Sequence, residues 1–213
     1  MIAVKKNLVF LGAFCYYEVM VDILIATHNQ NKLKEFRTLL EPLGYHVLGA
    51  DDVALPDVPE TGTTFRQNSA QKALAAAQFA HMMTLADDSG LCVHALHNEP
   101  GLFSARYAKA NGGFPKVFDV LLGRLGDDTS AHFECCLCLV MPQHEPMFFE
   151  GRVFGHLTHT PDASVEDFGY DPIFVPEGYD KPFGGLSSEV KNKISHRARA
   201  LEKLVAFLKT QNP

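Results

Sequence analysis

The sequence is short of basic residues: 19 lysines and arginines stand against 25 aspartates and glutamates, a formal net charge of −6. Long nucleic acid is held largely by releasing its counterions to a basic surface, so this balance argues against DNA or RNA as a partner. A small anionic ligand remains open, because local charge can oppose net charge. The chain also lacks an apolar run of the roughly 20 residues that a membrane span needs. Its nearest approach, Leu8–Tyr17, is far shorter. The five cysteines are Cys15, Cys92, Cys135, Cys136 and Cys138, an odd number, and no second cluster with zinc spacing accompanies Cys135-Cys136-x-Cys138. They read as buried free thiols in a reducing cytoplasm. Internal repeats and low-complexity segments are missing too.

What is present is a chain of 213 residues and 23.5 kDa. That length fits one domain, with room for two lobes. It should bury roughly 70% of its unfolded surface, so disulfides and structural metals are not needed to hold a core. Hydrophobic residues at 46% and charged residues at 21% match ordinary soluble proteins and exclude a disordered, collagen-like or multi-span membrane chain. Met1–Val19 carries Lys5 and Lys6 before its apolar run and so mimics a signal peptide, yet no small-x-small cleavage site follows. Residues 1–19 are expected to be an N-terminal extension, and residues 20–213 a single domain.

Val21–Ala26 is a short β-branched apolar run that reads as a buried strand, followed by a polar loop. Leu33, Phe36, Leu39 and Leu40 then recur at helical spacing until Pro42 and Gly44. Thr64–Met83 predicts a long Ala-rich helix, and Phe114–Leu125 an amphipathic one. Thr84–Ala86 predicts a strand ending in an Asp87-Asp88-Ser89-Gly90 turn, with Leu91–Ala95 resuming it. Ala131–Met141 and Met147–Val153 predict a hairpin, Ile173–Val175 a short strand, and Glu189–Lys193 and His196–Leu208 helices. Mixed helices and strands, some hairpin-joined, predict an α/β fold with a mixed β-sheet and flanking helices.

Four segments carry chemistry. Thr27-His28-Asn29-Gln30-Asn31-Lys32 lies between a strand and a helix N-terminus, where free backbone N–H groups suit an anion. It lacks the glycines of a Walker A loop or a dinucleotide fingerprint. Its plainer reading is a helix cap on Asn29 or Asn31. Asp87 and Asp88 are adjacent, so on an extended chain at most one faces a given site. A strand-end carboxylate can bind Mg²⁺ or take a proton from water. Phe168-Gly169-Tyr170-Asp171 offers aromatics that can stack on a base, or that simply fill a core. Lys191, Lys193, His196 and Arg197 gather cations around a helix start, where Arg197, a pure donor, suits a carbonyl or phosphate oxygen; the plain alternative is a solvated basic face.

Taken in chain order, the segments ILIATHNQNKLKEF, PETGTTFRQNSAQKA, LADDSGLCV, EPGLFSARYA, FGYDPIF and KNKISHRARAL resemble the inosine triphosphate pyrophosphatase family. The resemblance runs from residue 23 to residue 201. It implies an elongated mixed sheet with helices on both sides, two lobes around a central cleft, a cytoplasmic homodimer, and a Mg²⁺-dependent enzyme. Such an enzyme would hydrolyse non-standard purine nucleoside triphosphates (ITP, dITP, XTP) to the monophosphate and pyrophosphate. On the matching positions, Thr27, His28, Asn29, Gln30, Asn31 and Lys32 would cradle the phosphates with Lys72. Asp88 would be general base and metal ligand, with Glu60 a second metal-site carboxylate. Ser89 would touch the substrate. Phe168, Gly169, Tyr170, Asp171, Lys191, His196 and Arg197 would hold the base.

Three positions depart from the family pattern: His28 for a glycine, Gln67-Asn68 for Glu-Asn, and Phe183-Gly184-Gly185-Leu186 before the KNKISHR segment. The second removes a carboxylate expected near the metal, and the third alters a loop expected over the base. Two other readings compete with the hydrolase. One is a non-catalytic nucleotide sensor, which has no need of a metal-binding base. The other is a related pyrophosphatase for modified pyrimidines, against which FGYD and the KxxxxHR spacing argue.

Overall fold

The structure is a computed structural model that describes residues 4–11, 14–114, 116–161 and 169–211, with backbone only for 4–19 and 211. The chain divides into two compact units: residues 1–87 with 137–148, and residues 88–136 with 149–213. The division falls inside three strands.

In the first unit, β1 (Val4–Leu11) and β2 (Phe14–Ile25) form an antiparallel hairpin in which Val4 pairs with Val21 and Leu11 with Phe14. Strand β2 is therefore longer than the apolar run Val21–Ala26 suggested, since backbone pairing with β1 extends it into the segment expected to be an extension. Helix α1 (Gln30–Leu40) follows and buries Leu33, Phe36 and Leu40. Each such buried side chain is worth about 1.5–3 kcal/mol. β3 (Tyr45–Gly49) then lies parallel to β2, with Val21 opposite Tyr45 and Ile25 opposite Gly49. Helix α2 (Phe65–Ala80) starts one residue after its cap, Thr64, and stops at His81, whose φ of 54° breaks the helix. β4 (Thr84–Val93) pairs with β2 in parallel through Leu24–Thr84 and Ile25–Leu85. Leu24, Ala26, Ala50, Leu55, Ala73, Ala76, Ala86 and Cys138 make one core cluster of this unit. Small alanines on α2 allow the helix to lie close to the strands.

β4 corrects the expected turn at Asp87-Asp88-Ser89-Gly90: the strand runs through it unbroken. Polar residues bounded by glycine read as a turn, but here they are almost wholly buried and stay extended.

In the second unit β4 pairs antiparallel with the short β5 (Glu99–Pro100). Helices α3 (Ser104–Ala110) and α4 (Lys116–Leu122) follow, and then β6 (Ser130–Val140) and β7 (Met147–Leu157). β8 (Phe174–Pro176) pairs antiparallel with β7, and α5 (Ser188–Ile194) and α6 (His196–Gln211) close the chain. The sheet order is β1-β2-β4-β6-β7-β8, with β3 on β2 and β5 on β4, a mixed sheet as expected. The core holds Leu91, Val93, Val117, Phe118, Leu121, Phe133, Val153, Ile173, Phe174 and Phe183. Alternation along the strands explains it: Ala131 and Phe133 are buried, while His132 between them and Glu134 after them are partly exposed.

That partly exposed side carries a chain of polar contacts. His94 Nε2 lies 2.9 Å from His132 Nδ1, and His94 Nδ1 lies 3.0 Å from Ser130 Oγ, which donates to Asp128. Glu134 accepts two hydrogen bonds from Arg152 and lies 3.6 Å from His132. Burial, then the neighbouring His94, hold His132 below its ordinary value of 6.5, with Arg152 adding to this and Glu134 opposing it. The folded chain thus resists a proton that the unfolded chain accepts. Stability should be intact above pH 6.5 and fall as pH drops from there through the folded pKa of His132. Urea unfolding between pH 7.5 and 5.5 should show this decline, and His132→Gln should flatten it. Equal slopes for the two proteins would remove His132 as its source.

Cys92, Cys135, Cys136 and Cys138 are buried and free, as expected; Cys15 lies where no side chain is described. Burial, with a smaller push from Glu134, raises the Cys92 thiol to about 12, so it stays protonated and unreactive. No helix among the described residues is long and apolar enough to cross a membrane.

Candidate active site

The first unit contains a cavity of about 220 Å³ lined by Thr27, His28, Lys32, Asp57, Glu60, Lys72 and Asp87, with Ala26, Leu55, Pro56 and Val58. Its walls come from the β2–α1 junction, the loop before α2, α2 itself and β4. Asn29 caps α1: its side chain accepts from the N–H groups of Asn31 and Lys32 at 3.0 and 3.2 Å. Thr27 Oγ1 accepts from the Asn29 N–H. His28 and Gln30 both reach Asp51, at 2.8 and 3.0 Å. The capping reading of this loop therefore holds for Asn29, while Thr27, His28 and Lys32 line the cavity. Asn29, Gln30 and Asn31 are not among its lining residues and act on the loop's own shape.

The loop before α2 is tied down in a similar way. Thr64 Oγ1 accepts from the Gln67 N–H, and Gln67 Oε1 accepts from the N–H and hydroxyl of Thr63. This resembles a capping box, with Gln67 reaching one residue past the cap. Gly62 N–H donates to Asn68, and Thr61 exchanges two hydrogen bonds with Gln71. Gln67 and Asn68 thus shape the loop that presents Glu60. The side chain at position 67 is occupied by this cap and is not among those lining the cavity.

Two ion pairs cross the cavity. Lys32 Nζ donates to Asp87 Oδ2 at 2.8 Å, and Lys72 Nζ to Glu60 Oε1 at 2.7 Å. The Asp87 side chain is only 1% exposed, and a charge so buried is tolerable only when paired. The family resemblance assigns the catalytic and metal-binding role to Asp88 and none to Asp87. Alternation allowed one of the two to face this loop but did not say which. Asp88 follows Asp87 on β4 and points to the other face, buried in the second unit.

The described residues expected around the base, with Ser89, lie in the second unit. Ser89 Oγ accepts from Arg197 Nη2 at 3.4 Å. Arg197 and His196 open α6 and are buried, and the His196 ring stacks on Phe133 at 4.8 Å and 12°. Ser195 Oγ caps this helix through the Ala198 N–H. Helix α6 sits tightly on β7 because Gly151 has no side chain: a Cβ there would lie 2.1 Å from the His196 carbonyl oxygen. Lys191 is ion-paired with Asp171. Gly169 has a φ of 66°, a left-handed conformation that favours glycine. Phe168 lies outside the described residues.

Tyr170 requires a correction. It is 3% exposed, packs edge-on against Phe114, and donates its hydroxyl to the Ser104 carbonyl. Burial pushes its phenol well above the ordinary range, so the proton stays on the donor. Almost no ring surface is left for a base, and Tyr170 instead fixes the start of α3. The Phe183–Gly185 turn likewise folds inward, with Phe183 packed on Phe133 and Phe174, so Phe183 belongs to the core.

Residues 23–207 match the sequence model of the Ham1 family. The chain belongs to this family. It is 41% identical over 195 residues to the dITP/XTP pyrophosphatase of Bacillus subtilis (strain 168), covering 89% of this chain and 98% of that protein. The Ham1 protein of Staphylococcus aureus superposes with a TM-score of 0.81 at 40% identity, over 90% of this chain and all of that one. A HAM1 protein from Coxiella burnetii gives 0.79 at 35% identity, with coverage of 90% and 100%. The Ham1-family match leaves the first 22 residues outside it.

Hard oxygen donors suit Mg²⁺, which is usually bound by one or two carboxylates together with substrate phosphates. Glu60 and Asp87 line one cavity and fit that description. Among the described residues no group of three or more His, Cys, Asp or Glu side chains is arranged to hold a metal by itself.

Proposed function

We propose that this Ham1-family chain, a nucleoside triphosphate pyrophosphatase, acts on inosine- and xanthosine-type triphosphates with Mg²⁺, as a cytoplasmic homodimer, and releases the monophosphate and pyrophosphate. The observation that carries the reading is the cavity at the β2–α1 junction, where Lys32 and Lys72 face Glu60 and Asp87. Bound Mg²⁺ would supply charge neutralisation of the phosphate oxygens, held by Glu60 and an aspartate of β4. Lys32 and Lys72 bind the phosphates, with the Thr27 hydroxyl as a hydrogen-bonding wall. The family resemblance would give Asp88 the proton of the attacking water; the cavity itself is lined by its neighbour Asp87.

Selectivity follows from donors. Hypoxanthine and xanthine carry a 6-oxo acceptor where adenine has a 6-amino donor. Arg197 can only donate, so it pairs with the first and opposes the second. An unmet buried donor costs about 1–3 kcal/mol, roughly 5–150-fold in rate. Pyrophosphate release from ITP and XTP should therefore exceed release from ATP by that factor. Equal rates on ATP and ITP would overturn the selectivity. Asp171 acts one step back, positioning Lys191 through their ion pair.

A further inference from the structure

Two histidines that take no part in the carboxylate cavity face each other through ring nitrogens. His94, in the turn after β4, and His132, on β6, both belong to the second unit. His94 Nε2 lies 2.9 Å from His132 Nδ1. The outer nitrogen of each ring is oriented by an acceptor. An ionised carboxylate only accepts, so Ser130 gives its single hydroxyl proton to Asp128, at 2.6 Å. Ser130 Oγ is then left to accept from His94, which places the His94 proton on Nδ1, 3.0 Å away. Glu134 lies 3.6 Å from His132 Nε2 and favours the His132 proton on that side. Both inner nitrogens are thereby left as lone pairs aimed at one another. A cation between them removes the repulsion, and that cation is either a proton or a metal that takes imidazole.

We propose that His94 Nε2 and His132 Nδ1 form a two-histidine site for a divalent transition-metal cation of the zinc class, its remaining positions filled by water. Imidazole suits such cations, whereas Mg²⁺ takes oxygen ligands, so this site would not compete for the metal of the carboxylate cavity. Two nitrogens at about 2.0–2.1 Å from a tetrahedral zinc are roughly 3.3–3.4 Å apart, so the rings, now 2.9 Å apart at these atoms, need to separate by only about half an ångström. Metal-binding histidines characteristically donate their other ring N–H to an outer partner that fixes the tautomer. The Ser130–Asp128 pair does this for His94, and Glu134 for His132. Asp128 and Glu134 outweigh Arg152, the cation bound to Glu134, so the local charge also favours a dication. The Phe154 ring, 5.4 Å from that of His132, covers one side. His94 is exposed, which gives the metal its entry and the water its place. A bound metal would clasp the turn after β4 to β6, and with only two protein ligands it would exchange readily.

The test is titration calorimetry of the full chain with Zn²⁺ at pH 7.5, in excess Mg²⁺ so that oxygen sites are already filled. His94→Gln and His132→Gln should each weaken Zn²⁺ binding at least about tenfold. Ser130→Ala keeps both ligands but releases the His94 tautomer, and should also weaken binding about 10–100-fold. His144→Gln removes a histidine from the β6–β7 hairpin loop and should leave the affinity unchanged. Unaltered affinity in any of the first three variants, or a loss in His144→Gln, overturns the site. The unaltered chain gives a readout that does not depend on the variants' folding. Its histidine ¹⁵N NMR spectrum should show one equivalent of Zn²⁺ shifting two imidazoles, one coordinated through Nε2 and the other through Nδ1. Coordination through Nε2 alone, or no coordinated imidazole, overturns the proposal.

Discussion

Replacing Asp88 with asparagine should lower kcat for ITP by about 10²–10⁴-fold, the usual scale for a positioned proton acceptor, while leaving the fold intact. Asparagine has nearly the same shape and fits the same buried position on β4, but it cannot take a proton from water. The neighbouring substitution should behave differently. Asp87→Asn leaves Lys32 without the carboxylate it now reaches at 2.8 Å, so its effect should fall on stability and on binding of metal and phosphate. Steady-state kinetics on both variants, beside thermal unfolding, distinguish the two. A normal kcat in Asp88→Asn would strip that residue of its role. A kcat defect confined to Asp87→Asn would transfer the role to the residue that faces the cavity.

Gly90→Ala should destabilise the chain by about 3 kcal/mol or more, at or above the upper end for overpacking. A Cβ at Gly90 would lie 2.2 Å from the Gly101 carbonyl oxygen and 2.7 Å from Ser104 Oγ. Neither neighbour can easily yield. The first is backbone, and the second already accepts from the Leu91 N–H and donates to that same Gly101 carbonyl. At about 2–4 °C per kcal/mol for a chain of this size, the melting temperature should fall by at least about 6 °C. Gly126→Ala is the control: nothing lies within 4 Å of its added Cβ, so it should stay within about 0.5 kcal/mol of the unaltered chain. If Gly90→Ala melts with the control, β4 does not approach the Gly101–Ser104 segment as closely as described. Because Gly90 lies two residues from Asp88, activity should fall with stability, and the two losses should be inseparable.

Much of this was legible in the order of residues. Local patterns located α1, α2, the β6–β7 hairpin and the two C-terminal helices, because helical and strand periodicities are set by which neighbours share a face. The caps at Asn29 and Thr64 are also local, since a side-chain oxygen reaches N–H groups only two or three residues away. The family was legible from six segments in their order. The hairpin β1–β2 was not, because the strand residues before Val21 have no clear alternation and are ordered by pairing with a second segment.

The sequence alone determined which groups were available: two lysines and several carboxylates near a strand–helix junction, and cations around the start of the last helix. Only the tertiary structure decided that Asp87 meets Lys32, that Glu60 meets Lys72, and that Tyr170 packs into a core. The reason is physical. Alternation along a strand says that adjacent side chains part company, but not which of them faces the neighbouring helix. That choice depends on where distant segments pack, and on the cost of burying a carboxylate away from a cation.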